Sequence, residues 1–584
     1  MKIAVIGAGV SGLSSTWALN EYSCHEVHLF EPLAWIGGHA NTVSFTPPTC
    51  ASSLSAPSTP VDTGFIVFNQ DTYPNFLAFL KLAGIAILNS DMSFSVSRYL
   101  GGYGAFEWAG GSVGALFCQT SNLFNPAHWR MVWDIIRFNQ QSLDYLRTCH
   151  QSEKQGRGGK REESIGEWLD QRNYSPSFRK NYLIPMTASI WSTAPETALS
   201  SFPALTLLRF MHNHHLLQIL NRPQWLTVKN ASHSYVQRIM SKLPQARLHQ
   251  GRQKGQVVAA WVDAKTAKWT IKTADRKQQK GWDRVIFASH ADQTMQILTQ
   301  GYALGNGGEG EALKEAVGLL ANFAFSQNSA VLHSDVRLMP KRRHAWSAWN
   351  FLAETVTSSA STGAAICNET AKEGRKQVAN SSDVDRVSLT YYMNLLQSLP
   401  ESKFGPILVT LNPTTDPCSP YTPRRELVLK HQAYTHPIYT RHSVAAQRQL
   451  GNLQGVQGAY FAGAWTNYGF HEDGFSSGLK AAERIEGVYL PFEIRDAERH
   501  LPRQKQWQCT LVESVDALGR GPVVRRLTAV VCWLVVYLLA VLQMILMITG
   551  VSRHVWMGVG RVKGYWRHSL RGLDGGETKE IKAN

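Results

Sequence analysis

Three glycines near the N-terminus have the spacing of a loop that binds phosphate groups. Gly7, Gly9 and Gly12 form a GxGxxG motif between an apolar run (residues 3–6) and a helix-compatible stretch. In such a loop the first glycine permits a tight turn and the second lets the backbone approach a diphosphate. The third lets the helix pack closely on the strand. The motif therefore predicts a site for the diphosphate of a dinucleotide.

An acidic residue follows this loop at the distance expected for a dinucleotide site. Glu31 comes directly after the strand-like run HEVHLF, 24 residues beyond Gly7, where a carboxylate would accept hydrogen bonds from ribose hydroxyls. Val10 and Ser11, at the start of the helix, are assigned to the cofactor because a helix N-terminus offers N–H groups and partial positive charge. The order of strand, helix and acid predicts a β-α-β unit. The alternative is a glycine-rich turn without a ligand, and the motif does not distinguish NAD from FAD.

Two further segments resemble the glutathione-reductase-like family of FAD-binding proteins. Gly37, Gly38 and His39 resemble the GG(R) extension that runs along the diphosphate in that family, which assigns Gly38 and His39 to the cofactor. Residues 460–485 (YFAGAWTNYGFHEDGFSSGLKAAERI) are similar to its C-terminal motif, in which a helix points its N-terminus at the isoalloxazine. A nicotinamide enzyme has no need of this returning segment. FAD is therefore the expected cofactor.

The same resemblance assigns individual residues to parts of FAD. Gly463 would lie beside the ribityl chain and phosphate, while Gly474 and Phe475 would donate backbone N–H groups to the pyrimidine carbonyl. A helix N-terminus there would stabilise the negative charge of the reduced ring. The chain has Ala464 where the family has an acidic residue. Asp473 could supply the missing contact, or it could instead cap the following helix.

From residue 1 to about residue 488 the chain resembles the flavin amine oxidase and phytoene desaturase superfamily. It is most similar to the flavin oxidoreductase domain fused to plant cyclopropane fatty acid synthases and to its stand-alone bacterial and fungal relatives. The resemblance implies an α/β fold, with a glutathione-reductase-like FAD-binding Rossmann domain and an inserted α+β substrate domain. It is carried by GGHANTV (37–43), VDTGFIVFNQDTYPNF (61–76), DMSFSVS (91–97), PMTASIWS (185–192), FMHNHHLL (210–217), YYMNLLQ (391–397), TLNP (410–413) and GFHEDG (469–474).

Five residues are placed near the flavin ring by this resemblance. Gly64 and Phe65 match a segment that passes the ring, and Phe470 aligns with an aromatic-cage tyrosine of amine oxidases. Phe470, His471 and Glu472 are the candidate catalytic residues, because Phe470 holds the cage position and a proton acceptor at His471 or Glu472 could assist C–H oxidation. The alternative is that His471 and Glu472 form a structural hydrogen-bonded pair. Phe470, and the lack of a counterpart for the oxidases' lysine near flavin N5, disfavour an amine substrate.

Hydrophobic patterns place the remaining elements along the chain. Residues 62–240 are expected to be mostly helical, and strand-like stretches within 245–292 return to the first domain, where Val257 is assigned to the cofactor. Residues 47–60, 302–311 and 354–386 are expected to be loop insertions, with an antiparallel sheet built between and after the last two. The expected divisions are 1–95, 241–300 and 449–490 (FAD-binding domain), 96–240 (helical cap), 301–448 (antiparallel substrate domain), 491–526 (basic linker), 527–551 (membrane helix) and 552–584 (basic tail).

The C-terminal region predicts a membrane contact. Residues 527–551 are 25 residues without a charge, long enough to cross the hydrocarbon core as a helix. Residues 501–584 carry 12 Lys and Arg against 5 Asp and Glu, or +7 of the net +16, and such basic flanks favour anionic lipid headgroups. Because arginines lie on both sides, the orientation stays open, as does a monotopic insertion. The alternative is a buried core helix.

Composition limits the other classes of site and partner. Eight cysteines without a CxxC pair are typical of a reducing compartment, so neither disulfides nor zinc are expected. His212, His214 and His215 do not share one helical face, so no metal site is predicted and local packing or surface positions are expected. The N-terminus does not have the pattern of a signal peptide, which predicts a cytosolic catalytic domain. The basic charge is concentrated beside the apolar segment, so nucleic acid is not an expected partner.

Three functions are compatible with these patterns. The first is a membrane-anchored FAD-dependent oxidoreductase that moves a hydride between an apolar substrate, a lipid or acyl chain, and flavin N5. The second is an amine oxidase. The third is a flavin-loaded partner of a lipid-modifying enzyme that has no turnover of its own.

Overall fold

The structure is a computed structural model, in which the strands and helices are numbered in chain order. The strands are β1 (Lys2–Ile6), β2 (Glu26–Glu31), β3 (Thr42–Phe45), β4 (Thr59–Asp62), β5 (Phe68–Asn69), β6 (Ile87–Ser90), β7 (Phe94–Tyr99), β8 (Ala105–Ala109), β9 (Trp225–Val228), β10 (Leu248–Gln250), β11 (Val257–Asp263), β12 (Lys268–Thr273), β13 (Gln278–Trp282), β14 (Arg284–Phe287), β15 (Ala324–His333), β16 (Trp349–Val356), β17 (Val384–Tyr392), β18 (Leu408–Leu411), β19 (Val428–Ile438) and β20 (Ala459–Phe461). It describes residues 1–48, 56–99, 105–155, 163–191, 202–218, 222–305, 311–356, 384–417, 419–497, 499 and 501.

The helices are named in the same way. They are α1 (Val10–Glu21), α2 (Pro74–Leu82), α3 (Val113–Leu116), α4 (Pro126–Lys154), α5 (Ile165–Gln171), α6 (Pro176–Phe178), α7 (Ile184–Trp191), α8 (Ala204–Asn213), α9 (His233–Met240), α10 (Ala291–Leu304), α11 (Glu311–Leu320), α12 (Met393–Leu396), α13 (Glu401–Phe404), α14 (Arg441–Leu453) and α15 (His471–Glu483).

A parallel sheet forms the centre of the first domain. Its five strands have the order β10-β2-β1-β14-β20, so strands from the two ends of the chain lie side by side. Strand β1 is almost wholly buried, as expected for a parallel strand covered on both faces. Helices α1 and α15 pack on this sheet, and the antiparallel sheet β11-β12-β13 packs beside it. The predicted β-α-β unit and the return of the strands after residue 245 are present.

A mixed sheet of seven strands, in the order β19-β15-β18-β17-β16-β7-β8, forms the second domain. Its pairs are antiparallel except for β7 beside β16, which run parallel. The largest buried apolar cluster lies between this sheet and helices α4 to α8. Strand β4 pairs with β3, and the Asp62 carboxylate at its end accepts hydrogen bonds from Thr42 Oγ1, Ser232 N–H and Ser232 Oγ. The Asp62 N–H donates in turn to Gln397 Oε1 at 3.0 Å, which joins this network to the second domain at the end of α12.

Several expected boundaries are corrected by these pairings. Residue 95, expected to end the first part of the FAD domain, lies inside β7, which belongs to the seven-stranded sheet. The region 96–240 therefore contributes strands as well as helices, because a pairing partner far along the chain decides the state of Phe94–Tyr99 and Ala105–Ala109. The expected insertions 47–60, 302–311 and 354–386 each overlap a strand or helix at an end, and the rest of the last one lies outside the described residues.

The expected membrane helix at 527–551 and the basic tail lie outside the described residues. Within the residues that the structure does describe, no helix has both the length and the apolar character needed to span a membrane.

Candidate functional site

The glycine-rich loop has the geometry that its sequence predicts. Gly7 has φ +104° and donates its N–H to the Phe30 carbonyl, 2.8 Å away. A Cβ on Gly12 would lie 1.8 Å from the Gly7 carbonyl oxygen, which fixes how closely α1 approaches β1. A Cβ on Gly9, in contrast, would meet nothing within 4 Å. The loop is thus tightly packed at its first and third glycines and open at the second, where a diphosphate would approach.

The first turn of α1 presents free hydrogen-bond donors beside this open position. Gly9 is the N-cap residue, and Leu13 N–H is the first to bond back to it, at 2.9 Å. Among the described residues, the N–H groups of Val10, Ser11 and Gly12 have no acceptor, as expected at a helix start. Such donors together with the helix dipole attract anions. Ser11 is buried and Val10 is half-buried.

Glu31 lies at the end of β2, beside the loop. Its carboxylate accepts hydrogen bonds from Ala8 N–H at 2.8 Å and Leu33 N–H at 2.9 Å. Burial raises the pKa of this carboxyl, and the two N–H groups oppose the rise. A carboxylate has further lone pairs available, so ribose hydroxyls could still bind. Val257 begins β11 and packs in the same apolar cluster as Phe30, the residue before Glu31.

The segment after Glu31 folds back over the loop. Gly37 N–H donates to the Ala8 carbonyl at 2.9 Å, and a Cβ on Gly38 would lie 3.1 Å from Gly9 Cα. Both glycines have positive φ, +123° and +59°. Glycine adopts this conformation at little cost, which explains the pair. The fold-back places His39 directly beyond the glycine-rich loop.

The C-terminal motif forms a sharp turn from β20 into α15. A Cβ on Gly463 would lie 2.1 Å from Trp465 Nε1, so the Trp465 indole closes against the backbone of this glycine. Trp465 Nε1 donates to the Ser289 carbonyl at 3.2 Å, and Gly463 N–H donates to Ser477 Oγ at 2.9 Å. These contacts hold Gly463 beside the first domain's own strand-end loop. Ala464 begins the 3₁₀ turn that follows.

The first turns of α1 and α15 lie together because the two helices pack closely. A Cβ on Gly474 would lie 2.6 Å from Val10 Cγ1, and a Cβ on Gly478 would lie 2.1 Å from the Ser11 carbonyl. Ser14 Oγ, from α1, donates to the Phe475 carbonyl at 2.8 Å. The glycines of α15 therefore serve the helix contact. Two helix starts from opposite ends of the chain then face one region.

The donors at the start of α15 are not the predicted ones. Gly474 N–H bonds to the Phe470 carbonyl at 3.0 Å, and Phe475 is one residue further into the helix with a fully buried side chain. In the described part of the chain, the N–H groups of His471, Glu472 and Asp473 lack an acceptor. Only the first helical turn leaves donors free, and α15 begins three residues earlier than the resemblance implied. The donor prediction for Gly474 and Phe475 is corrected accordingly.

Asp473 caps α15. Its carboxylate accepts hydrogen bonds from Phe470 N–H at 2.9 Å and from Asn467 Nδ2 at 2.8 Å. Burial raises the pKa of this carboxyl to about 7, although those hydrogen bonds oppose the rise. The bond from Phe470, the N-cap residue, gives Asp473 the capping role, and its remaining lone pairs leave the ribityl contact open.

His471 lies at the first position of α15, in an aromatic environment. Its ring stacks on Phe65 with centroids 3.6 Å apart, and Nε2 is hydrogen-bonded to the Tyr235 hydroxyl at 2.9 Å. Burial, followed by the nearby His39, holds the pKa of His471 well below its usual value. The imidazole is therefore neutral at physiological pH. Gly64, before Phe65, has no room for a side chain, because a Cβ would lie 2.4 Å from the His39 carbonyl.

Glu472 has a structural partner on a neighbouring helix. Its carboxylate accepts hydrogen bonds from Asn75 N–H at 2.8 Å and Phe76 N–H at 3.0 Å, in the first turn of α2. Ser476 Oγ adds a third at 3.1 Å. Burial raises the pKa of Glu472 to about 7. His471 and Glu472 thus bond to different elements and do not form the pair that was considered.

His214 lies between Phe470 and an apolar cavity. Its ring stacks on Phe210, with centroids 4.8 Å apart, and lies 5.0 Å from His214. His214 lines the cavity, together with His215, Ser189, Arg222, Pro223 and seven apolar side chains. The enclosed space of about 50 Å³ is smaller than a ligand pocket, so a substrate would need mobile side chains such as methionine to shift. The apolar members are Met92, Phe94, Met186, Ile190, Leu216, Trp225 and Trp349.

The three histidines of the FMHNHHLL segment lie inside the protein. His212, His214 and His215 are each less than a tenth exposed, so the expectation of surface positions is corrected. His215 Nε2 pairs with Asp71 at 2.9 Å, and its Nδ1 with Gln218 at 2.9 Å. Within the described residues, no three or more His, Cys, Asp or Glu side chains are arranged so that they could hold a metal ion.

Sequence reasoning missed three residues of this region. Trp465 closes against Gly463, Tyr235 holds His471, and Tyr434 stacks on His39 at 4.8 Å. Tyr235 and Tyr434 come from elements far from either glycine motif, and no local pattern marks them. Trp465 lies within the C-terminal motif quoted above (residues 460–485). The signal that could have marked it is its position, as a bulky residue two places after Gly463.

Comparisons with known proteins agree with this fold. A family described as an NAD(P)-binding Rossmann-like domain matches residues 5–82. A comparison with curated proteins gave no significant match. Putrescine oxidase bound to putrescine is similar, with a TM-score of 0.51 and 12% identity over 83% of this chain and 98% of that one. This likeness shows that the chain has the same two-domain fold.

Two other solved structures are similar at a lower level. Cyclohexylamine oxidase from Brevibacterium oxydans has a TM-score of 0.48 and 12% identity, over 82% of this chain and 98% of that one. Reduced UDP-galactopyranose mutase has a TM-score of 0.48 and 14% identity, over 84% of this chain and 94% of that one.

Proposed function

We propose that the chain binds FAD and is an FAD-dependent oxidoreductase acting on an apolar substrate. The observation that carries the proposal is the pairing of two open helix starts, at Val10–Gly12 and at His471–Asp473, beside the open face of Gly9. One open start suits a diphosphate, and the second suits the electron-rich end of a flavin. A nicotinamide dinucleotide would leave the second unused.

Bound FAD would supply the redox chemistry by accepting a hydride from a substrate carbon. The chain's own residues would bind and orient the cofactor. Gly9 and the first turn of α1 would hold the diphosphate, and Glu31 would accept hydrogen bonds from the adenosine ribose. The free N–H groups at the start of α15 would bind the pyrimidine carbonyl and stabilise negative charge there. His471 is neutral and hydrogen-bonded to Tyr235, so its ring adds no positive charge at this helix start.

The cavity beside Phe470 supports an apolar substrate. Of its twelve lining residues none is acidic, whereas Arg222 and two histidines are present among apolar side chains. A cationic amine would find no carboxylate there, although the similar putrescine oxidase structure contains putrescine. An acyl chain with an anionic head fits the lining better. The class we favour is therefore a lipid or fatty acyl chain, in agreement with the resemblance to the domain fused to cyclopropane fatty acid synthases.

A membrane position for the enzyme is part of the same proposal. It is supported by the sequence of residues 527–551, uncharged and flanked by arginines, which lie outside the described residues. The test is flotation of the full chain with anionic vesicles, compared with a chain that ends at residue 501. Equal flotation of both would refute the role of the C-terminal segment.

Purified protein tests the proposed activity directly. A yellow protein with flavin absorbance is expected, and a colourless protein that FAD cannot reconstitute would refute FAD binding. Under anaerobic conditions, oleate or a lipid extract should bleach the flavin absorbance, and putrescine should not. Bleaching by putrescine alone would favour an amine oxidase. Bleaching by neither would favour a flavin-loaded partner of a lipid-modifying enzyme.

A further inference from the structure

Three partly buried histidines from separate elements meet in one cluster. His39 follows the Gly37–Gly38 turn, His290 is the N-cap residue of α10, and His436 lies in β19. The ring centroids of His39 and His436 are 5.2 Å apart, and those of His39 and His290 are 6.4 Å apart. We refer to these three side chains as the histidine cluster.

The histidine cluster lies against the glycine-rich loop. A Cβ on Gly38, next to His39, would be 3.1 Å from Gly9 Cα. A Cβ on Gly7 would be 3.0 Å from the N atom of Ser289, next to His290. Two of the three histidines thus directly follow residues that touch the loop. The histidine cluster is therefore adjacent to the loop at which a diphosphate would bind.

The hydrogen bonding of the histidine cluster is incomplete. His39 bonds through its ring to the Thr435 carbonyl, and its buried Nε2 has no partner among the described residues. Asn328 Nδ2 lies 2.8 Å from His436 Nδ1, which leaves the His436 Nε2 proton for another acceptor. A buried ring nitrogen without a partner is uncommon and calls for an explanation. A ligand with several acceptor oxygens would supply a partner for the His436 Nε2 proton, and one for His39 Nε2 once that nitrogen is protonated.

Among the described residues, no carboxylate acts on the rings of the histidine cluster. Burial lowers the pKa of His39 and His290 to about 4 and that of His436 to about 3, and the charges that act on each ring are those of other histidines. The packed neighbours are Phe325 on His290 and Tyr434 on His39. Asp62 acts on Tyr434, and His39 acts on His471. No carboxylate among these groups acts on a cluster ring.

We propose that His39, His290 and His436 hold the diphosphate of FAD and take up at least one proton when it binds. This inference rests on the proposed function, because it takes FAD as the ligand. The two negative charges of the diphosphate would favour the protonated form of the nearest ring. Cofactor affinity therefore rises as the pH falls.

The size of the effect follows from linkage. Each proton taken up on binding changes the dissociation constant about tenfold per pH unit, as long as the ring is neutral in the free protein and protonated in the complex. The free-protein rings are neutral above about pH 5, given the low pKa values of all three. The diphosphate of FAD does not itself titrate near neutral pH. One linked proton thus weakens FAD binding about tenfold per pH unit above neutrality.

The test is a titration of the full-length apoprotein with FAD at several pH values, from about pH 6 to about pH 8. Quenching of flavin fluorescence gives the dissociation constant, and calorimetry in two buffers of different ionisation enthalpy counts the protons taken up. The wild type should take up about one proton or more, with the matching loss of affinity as the pH rises. Neither readout depends on turnover.

Variants assign the proton to the cluster. His39→Gln should weaken binding near pH 6 and reduce the pH dependence, whereas His39→Arg should bind tightly across the range because its charge is permanent. His128→Gln is the matched control, since burial also lowers the pKa of His128 to about 4 but it lies on α4. It should keep the wild-type pH dependence. If His39→Gln does not fold, the pH dependence of FAD binding in His39→Arg and His290→Gln tests the proposal instead.

Two failures are distinguishable. FAD binding with the same affinity at every pH and no proton uptake would overturn the histidine proposal and leave the proposed function standing. The histidine proposal would also be overturned if FAD affinity kept its wild-type pH dependence in both His39→Arg and His290→Gln. No FAD binding at any pH would overturn the proposed function itself.

Discussion

The Phe65 ring stacks face to face on the His471 imidazole, with centroids 3.6 Å apart and planes inclined by 7°. The contact joins the VDTGF segment to the first turn of α15, and Tyr235 holds the other side of the imidazole through Nε2. Because α15 begins at His471, these two neighbours fix where its free N–H groups lie. The candidate flavin site therefore depends on residues from three distant parts of the chain.

Tyr235→Phe should loosen this arrangement while keeping the ring in place. It removes the hydroxyl bonded to His471 and leaves a buried nitrogen without a partner, which costs about 1–3 kcal/mol. Urea denaturation should show the lower free energy of unfolding. A variant as stable as the wild type would contradict the role given to the Tyr235 hydroxyl.

Gly12→Ala should destabilise the first domain, because the new methyl group would lie 1.8 Å from the Gly7 carbonyl oxygen. Overpacking of this kind costs about 3 kcal/mol or more, and thermal denaturation would measure it. Gly451→Ala is the matched control in helix α14, where a Cβ meets nothing within 4 Å. It should stabilise the protein by about 0.5–1 kcal/mol. Equal effects of the two substitutions would refute the packing argument.

Glu472→Gln should change the pH dependence of stability. Burial raises the folded-state pKa of Glu472 from its usual 4.5 to about 7, so the folded protein binds this proton more tightly than the unfolded chain. The wild type therefore loses stability from Glu472 as the pH rises between about 4.5 and 7. Glutamine does not titrate, so stability relative to wild type should rise over that window, by about 3 kcal/mol. Denaturation at matched pH values would show it, and a constant difference would contradict the assignment.

Met186→Trp should obstruct the apolar cavity beside Phe470. The larger ring would fill space lined by Met92 and His214, so bleaching by an acyl substrate should slow about tenfold or more, while the FAD content is unchanged. Ile136→Trp, at an exposed position of α4, is the control. Stopped-flow absorbance measures the rate. Equal rates in the two variants would place substrate binding elsewhere.

Local patterns predicted the dinucleotide half of the site. The GxGxxG turn depends on glycines within six positions, and Glu31 follows on the next strand, so its geometry is set by short-range sequence. The start of α15 was predicted three residues too late. The spacing of Phe470 and Asp473, an N-cap residue followed by an acid at the third helical position, was the signal that marks the true start.

Other parts of the structure depend on contacts that no local pattern carries. Strand β7 pairs with β16, far along the chain, which is why a boundary at residue 95 could not be corrected from the sequence. Tyr434 and His436 reach His39 only because β19 lies at the edge of the seven-stranded sheet. Glu472 was assigned to the flavin by alignment, although its partners are the N–H groups of α2.

The most direct test of FAD binding at the glycine-rich loop is the flavin content of Gly9→Val. A Cβ at Gly9 meets no protein atom within 4 Å, so we expect the variant to fold like the wild type while its side chain occupies the place of the diphosphate. Gly451→Val, equally free of neighbours, is the control. We expect flavin absorbance to be lost in Gly9→Val and kept in Gly451→Val. A folded Gly9→Val protein with full flavin content would contradict the account.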